Sequence, residues 1–427
     1  MSALTWIAAG AVVVWLWLLL GQGFFWRTDV RLPRTPPGEH GPPPEEHGNP
    51  PEEHGNPPDQ HGNPYGAHGP PPGDEPGDWP SVAIVVPARD EAAVLPASLP
   101  SLLAQDYPGP AEVFLIDDGS SDGTGKLARE LADAYGGLPL TVGSPGEPEP
   151  GWTGKLWAVR HGIALAKSAH EAEFLLLTDA DIAHEPDSLR ELVRAARAHG
   201  LGLVSQMARL RVTTGWERLI VPAFVYFFAQ LYPFRWVNRR RGRWAAAAGG
   251  CVLLRREAAE RAGIPEAIRE AVIDDVALAR AVKRSGGAIW LGLADRVDSV
   301  RPYPGLGELW RMVSRSAYAQ LRHNPLLLVG TVAGLAVVYL APPVALCAGA
   351  LTGRPALLVA GAAAWALMAA TYVPMLRYYR QTLWLAPLLP LTALLYLLMT
   401  VDSAVRHWRG QGAAWKGRTY ARPSAAP

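Results

Sequence analysis

The chain has 427 residues, of which 49% are hydrophobic, and a formal net charge of +1. That balance leaves no electrostatic footprint for nucleic acid, and no basic-aromatic motif of that kind occurs. Two cysteines, Cys251 and Cys347, lack metal-ligand spacing and exclude a disulfide framework, which fits a reduced cytosolic compartment for the soluble part.

In chain order, the run from Ala3 to Trp26 carries no charge and is long enough to cross a bilayer. It lacks the basic leader of a signal peptide, so residues 1–26 are predicted to be an uncleaved anchor. Arg27, Arg31 and Arg34 follow at once and place that side in the cytoplasm. Residues 27–79 are a linker in which a seven-residue unit repeats from His40, His47, His54, His61 and His68. Proline in every unit excludes a coiled coil, so an extended, disordered, polyproline-like spacer is expected. Five even histidines raise the idea of metal binding, but gathering ligands from such a chain costs conformational entropy, which favours the spacer.

From residue 80 onward, apolar runs alternate with helical periodicity. SVAIVVPARDEA is a strand broken by Pro87, AEVFLIDDGS and LPLTVGS are strands, and EFLLLTDADI and LGLVSQMARL follow, with helical segments between them. This spacing predicts an α/β domain over residues 80–320 with a doubly wound, mostly parallel sheet covered on both faces. Residues 216–236 are apolar and aromatic, too short for a span and interrupted by Pro222, and are read as an interfacial helix lying on the membrane beside the site. Three further apolar segments, about 325–351, 355–376 and 383–401, each approach spanning length, which makes residues 325–402 a membrane region and 403–427 a tail. Three spans after a cytosolic domain would put Arg406, Arg409, Lys416 and Arg418 outside, against the positive-inside rule. One segment is therefore expected to be re-entrant or interfacial, and Ala341-Pro342-Pro343 draws attention to the first.

Three carboxylate pairs carry the chemistry: Asp117-Asp118, Asp179 with Asp181, and Asp274-Asp275. The first two close strand-like runs and so belong at the carboxyl edge of the sheet, where α/β folds bind ligands. An Asp-x-Asp at a strand end offers hard oxygen ligands to Mg²⁺ or Mn²⁺ that can also hold a diphosphate. The third pair can supply a general base. Lys155 follows the Gly151–Gly154 turn at a helix start, where a cation could meet diphosphate; GWTGK lacks the spacing of a Walker loop.

VVPARDEA, LIDDGSSDGT, GWTGKLWAVRHG, TDADI, AAGGCVLLRREA and VIDDVALA, in that order, resemble a family 2 glycosyltransferase of the GT-A (nucleotide-diphospho-sugar transferase) type. QMARL, AAAAGGCVLLRR and the C-terminal apolar segments are similar to the hopene-associated glycosyltransferases. The resemblance implies a nucleotide-sugar donor, a UDP-sugar, and a membrane lipid acceptor such as a hopanoid. It also implies other lipid-biosynthesis enzymes as partners and a multi-pass protein of the bacterial inner membrane with its catalytic domain in the cytoplasm. Residue by residue, it assigns Pro87, Arg89, Glu91, Asp117, Asp118, Lys155, Asp179, Gly250 and Arg315 to the nucleotide sugar. Asp181 becomes the first metal ligand, with Asp179 on metal or ribose, and Asp275 the base, with Asp274 its neighbour. Ser120, Ser121 and Asp122 read as turn and cap residues. Processive relatives carry Gln-x-x-Arg-Trp; here Arg315 is not followed by Trp, which argues against a polysaccharide synthase and for a single transfer, and the resemblance, with one base and direct attack, implies inversion. A non-catalytic scaffold on the same fold is the reading from another class.

Overall fold

The computed structural model describes residues 3–33 and 79–410, with the backbone of two short strands at Ala414–Trp415 and Arg418–Thr419. The histidine heptads, Arg34, and the tail with Lys416 lie outside the described residues. The elements, in chain order, are α1 (Ala3–Leu20), β1 (Val82–Ala88), α2 (Leu95–Leu103), β2 (Ala111–Asp117), α3 (Thr124–Tyr135), β3 (Leu140–Gly143), α4 (Gly154–Ala169), β4 (Phe174–Thr178), β5 (Ile182–His184), α5 (Ser188–His199), β6 (Leu203–Arg209), α6 (Gly215–Leu231), α7 (Phe234–Val237), β7 (Cys251–Arg255), α8 (Arg256–Arg261), α9 (Asp274–Arg284), β8 (Ile289–Ser299), α10 (Leu306–Ser314), α11 (Ala317–Gln320), α12 (Pro325–Leu335), α13 (Ala341–Thr352), α14 (Pro355–Tyr378) and α15 (Leu389–Trp408).

Eight strands form one mixed sheet in the order β3-β2-β1-β4-β7-β6-β8-β5. The β3/β2, β2/β1, β1/β4 and β6/β8 pairs are parallel; β4/β7, β7/β6 and β8/β5 are antiparallel. Every residue of β1 is buried, as a strand covered on both faces requires. Its alternate side chains feed two cores. Val82, Ile84 and Val86 pack with α2 and α5, whereas Ala83 joins the larger core beneath α4 and α6. Pro87 does not break β1 as expected. It lies inside the strand, opposite Ile116 of β2 and beyond the last β4 partner at Val85, where its missing N–H leaves that side of the ladder intact. Helix α5 buries Leu189, Leu192, Val193 and Ala196, an i, i+3, i+4, i+7 stripe, and stops at Gly200 with φ of 58°.

The segment expected at the membrane surface is α6, and its apolar side is taken by packing. Ile220, Val221, Val225 and Tyr226 are buried against α14 and α15, where the Tyr226 hydroxyl meets that of Thr371 at 2.8 Å. Trp216 and Leu231, at its two ends, are exposed.

Among the described residues, four helical stretches are long and apolar enough to span a bilayer: Ala3–Leu20, Pro325–Thr352, Pro355–Tyr378 and Leu383–Trp408. The first C-terminal stretch is continuous despite its prolines, because a π turn at Ala336–Leu340 joins α12 to α13. Pro342 cannot donate to Val338, and the indole of Trp15 on α1 supplies that hydrogen bond at 2.9 Å. Helices α13 and α14 cross closely at Gly349 and Gly361; a Cβ at either would lie 2.4 Å from a backbone nitrogen of the other helix.

The last stretch turns back. Helix α14 reaches the sheet domain at its C-terminal end, where the Tyr378 hydroxyl donates to the carbonyl of Ala294 in β8. The chain then returns along α14 through a 3₁₀ turn at Leu383–Leu388, and the carbonyl of Pro387 accepts from the Trp365 indole at 3.0 Å. Trp365 precedes Tyr378 by about 20 Å of helix. Helix α15 then runs back to the sheet domain: Asp402 accepts from the Trp310 indole of α10 at 2.8 Å, and the Tyr318 N–H of α11 donates to Ser403 at 3.0 Å.

Candidate active site

Because β1, β2 and β4 are parallel neighbours, their carboxyl ends share one edge. That brings Arg89 and Glu91, Asp117 and Asp118, and Asp179 and Asp181 together. Strand β7 runs antiparallel to β4, so its entry, Gly249-Gly250, meets the same edge. The Gly250 carbonyl accepts from the Thr178 hydroxyl at 2.8 Å and from the Asp179 N–H at 3.4 Å, which sets the turn bearing the acidic pair. Gly250 thus shapes the site through its backbone; a Cβ there would come within 3.1 Å of Ile182.

Helix α9 opens on Asp274 and Asp275, acids in the first turn facing the positive end of the helix dipole. Asp275 accepts from the Gly249 N–H at 2.9 Å and from the Val276 N–H at 2.7 Å. Burial, and next the charge of Asp274, still push its carboxyl up to about 7. Lys155, in the first turn of α4 after the Thr153 cap, bridges Asp179 at 2.8 Å and Asp274 at 3.0 Å. Burial alone would lower the Lys155 ammonium, but these two carboxylates hold it well above its ordinary value. Burial also raises Asp274, yet Lys155 outweighs it and the carboxyl ends below its ordinary value. Asp179 ends above its own, through burial and the neighbouring Asp181 against the pull of Lys155. Arg315 is exposed just beyond α10, and its positive charge favours the ionised form of Asp274.

The β2 pair divides its labour. Asp117 accepts from the Ser120 N–H at 2.9 Å and the Gly125 N–H at 3.2 Å, folding its own loop; a Cβ on Gly125 would sit 2.6 Å from its carboxylate. Asp118 is fully buried and lies 3.6 Å from the Arg89 guanidinium, which also donates to the Asp118 carbonyl. Asp122 accepts from the Thr124 N–H, the first of α3, and from the Ala92 N–H, and Ser120 and Ser121 stitch the two loops together through Asp90.

One participant has no local signal. Arg301, just past β8, donates through Nε to Asp181 at 2.7 Å and through Nη2 to both oxygens of Glu91 at 2.8 and 2.6 Å. Its partners stand 120 and 210 residues away in sequence. His184 is also held: buried between the hydroxyls of Thr178 at 3.0 Å and Ser188 at 3.2 Å, its imidazole is pushed down to about 4 by burial.

Pro87, Lys155, Thr178, Asp179, Gly249, Asp274 and Asp275 line one crevice. A cavity of about 400 Å³ on the far side of α4, beside His170 and Arg256, contains none of the acidic pairs. Among the described residues, no cluster of three or more His, Cys, Asp or Glu forms a self-contained metal cage. The donor set nevertheless suits a hard cation held partly by substrate. Lys155 occupies one oxygen of Asp179 and Arg301 one oxygen of Asp181, and Mg²⁺ is commonly bound by one or two carboxylates plus phosphate oxygens.

The profile of the family described as "Glycosyltransferase like family 2" matches residues 80–319, more than half the chain. The chain belongs to this family. Its mixed sheet and flanking helices are the GT-A-like form of the glycosyltransferase fold. The undecaprenyl-phosphate 4-deoxy-4-formamido-L-arabinose transferase of Aeromonas hydrophila is 33% identical over 136 residues, covering 30% of this chain and 37% of that protein. An N-acetylglucosaminyltransferase of Rhizobium leguminosarum bv. viciae is 26% identical over 187 residues, covering 42% and 40% respectively. The chain thus spans about two fifths of the length of these curated relatives. Among solved structures, a mannosyltransferase of Pyrobaculum calidifontis in complex with GDP-Man and Mn²⁺ superposes with a TM-score of 0.49 and 22% identity, over 78% of this chain and 88% of that one.

Proposed function

We propose that this family 2 glycosyltransferase moves a single sugar from a nucleotide diphosphate, a UDP-sugar in the first instance, to a lipid acceptor, with inversion at the anomeric carbon. The observation that carries the reading is Asp275: a carboxyl pushed up to about 7, fixed by the Gly249 N–H, whose neighbour Asp274 is joined through Lys155 to Asp179. In that role Asp275 takes the proton of the acceptor hydroxyl as its oxygen attacks the anomeric carbon. The bond from that carbon to the phosphate oxygen breaks, and the electron pair leaves with the nucleoside diphosphate. Lys155 and Arg301 offer fixed positive charge beside the departing phosphates. A bound Mg²⁺ or Mn²⁺, held by Asp181 and Asp179, would supply further neutralisation of the leaving group.

A lipid acceptor is supported by the apolar helices packed beside the domain and by the A. hydrophila relative, whose name specifies undecaprenyl phosphate. A hopanoid acceptor rests on the resemblance of QMARL and AAAAGGCVLLRR. Lipid profiling of cells with and without the protein tests the reading. A glycolipid absent without the protein and restored with it would name sugar and acceptor together. An unchanged lipid profile alongside a missing polysaccharide would favour the processive alternative.

Membrane topology belongs to the same proposal. With α14 and α15 both ending at the sheet domain, Leu383–Trp408 is read as a re-entrant hairpin and Pro325–Thr352 as a full span. Arg377, Arg380, Arg406 and Arg409 then share the cytoplasmic side, as positive-inside demands. Fluorescent-protein and alkaline phosphatase fusions after Gly410 check this. A fluorescent, phosphatase-negative C-terminus is expected, and a phosphatase-active one would contradict it.

A further inference from the structure

We propose that Arg301 is a resident counter-ion that makes cation binding at Asp181 conditional on the nucleotide, an inference that rests on the metal-assisted reading above. Its guanidinium lies in the plane of the problem: Nε meets Asp181 at 2.7 Å, and Nη2 bridges both oxygens of Glu91. The three side chains are mostly sequestered, with exposures of 27% for Arg301, 8% for Glu91 and 13% for Asp181. Charge-assisted pairs of this kind are strong where water is scarce. On the other side of the acidic turn, Lys155 plays the same part for Asp179. A divalent cation approaching alone therefore meets two carboxylates, Asp179 and Asp181, each already paired with a fixed positive group that it shares with a further acid.

The backbone holds this arrangement in place. The Val300 N–H donates to the Asp181 carbonyl at 2.8 Å, and the Tyr303 N–H donates to Glu217 at 2.7 Å, so Arg301 is anchored on both flanks. Only its side chain has to move to release Asp181. A nucleoside diphosphate changes the balance twice over. It brings further oxygens for the cation, and its negative charge gives Arg301 and Lys155 an alternative anion. Cation and nucleotide then favour one another's entry, and the site without nucleotide holds the metal more weakly. Glu91 acts as the keeper that pulls the guanidinium back after the nucleotide leaves.

The test measures binding rather than turnover. Electron paramagnetic resonance titrations with Mn²⁺ would follow protein-bound metal on the full chain in nanodiscs, with Mn²⁺ alone and with UDP or GDP added separately. The wild type is expected to bind Mn²⁺ at least tenfold more tightly with a nucleoside diphosphate than without. Arg301→Gln should bind Mn²⁺ alone at least tenfold more tightly than the wild type, while Arg301→Lys, which keeps the charge but not the fork joining Asp181 to Glu91, should fall between the two. Should Arg301→Gln fail to fold, Arg301→Met, which also removes the charge, takes its place in the same titration with the same expectation. Wild type binding Mn²⁺ equally well with and without nucleotide would overturn the role of Arg301 and leave the metal reading standing. A folded Arg301→Gln protein with no gain for Mn²⁺ would do the same. No protein-bound Mn²⁺ under any condition would overturn both together.

Discussion

Asp275→Asn is expected to lower kcat by about 10²–10⁴-fold, the usual contribution of a positioned base, with little change in donor binding. Asn keeps the shape and an acceptor for the Gly249 N–H at 2.9 Å but gives up the acceptor for the Val276 N–H, so thermal melts are read beside the kinetics. The pH profile of the wild type carries the same information. With the carboxyl pushed up to about 7, activity should rise through neutrality as the base ionises and level off above pH 8. Stability should move the opposite way. A carboxyl whose folded value lies above its ordinary 3.8 binds its proton more tightly when folded. That contribution is present in full below about pH 4 and is lost as pH rises through about 7. Asp275→Asn should therefore melt higher than the wild type at pH 8, an advantage that disappears near pH 4. Thermal melts across that range check it, and an inactive variant that melts lower at every pH would point to a structural role.

Glu217→Ala is expected to destabilise the sheet domain strongly. Glu217 is fully buried in the capping box of α6, where its carboxylate accepts from the N–H groups of Thr213 and Thr214, both at 2.8 Å, and of Tyr303 at 2.7 Å. Removing it orphans three backbone donors, at about 3–5 kcal/mol in all. Burial raises this carboxyl, but the N–H groups of Thr214, Tyr303 and Thr213 override it and bring it down to about 2. Because the folded value lies below the ordinary 4.5, the stabilisation is present above about pH 4.5 and is lost as pH falls through about 2. The shift corresponds to roughly 3 kcal/mol. The gap in melting temperature between wild type and Glu217→Gln should be wide at pH 7 and should close towards pH 2. Since the same carboxylate steadies the segment carrying Arg301 and Tyr303, the Ala variant should also lose transfer activity.

Much of the fold was legible because its signals are local. Buried strands β1, β2 and β4 advertise themselves as apolar runs, and an Asp at the end of each of β2 and β4 marks the edge where ligands gather. Lys155, Asp179, Asp274 and Asp275 line one crevice at that edge, and Lys155 joins Asp179 to Asp274. Asp117 was harder to read, since a carboxylate that folds its own loop and one that greets a nucleobase occupy the same place in the motif. Arg301 was invisible for a different reason: both its partners are remote in sequence, and an arginine after a strand is ordinary surface chemistry until the chain folds. Composition also could not tell α6 on a membrane surface from α6 buried against α14 and α15, because both demand apolar side chains. Nor could it distinguish Leu383–Trp408 as a crossing from the hairpin proposed above, a reading supported by the Trp365 bond to Pro387.

The claim on which the rest turns is that these acids and bases form one working centre for sugar transfer to lipid. The full-length protein in nanodiscs made with cellular lipid extract, given nucleotide sugars labelled in the sugar, tests it most directly. Label should pass into the organic phase only when Mg²⁺ or Mn²⁺ is present, one sugar per lipid and with the anomeric configuration inverted. Label that stays on the nucleotide for every sugar offered, or reaches lipid equally well with Asp275 replaced by Asn, would contradict the account.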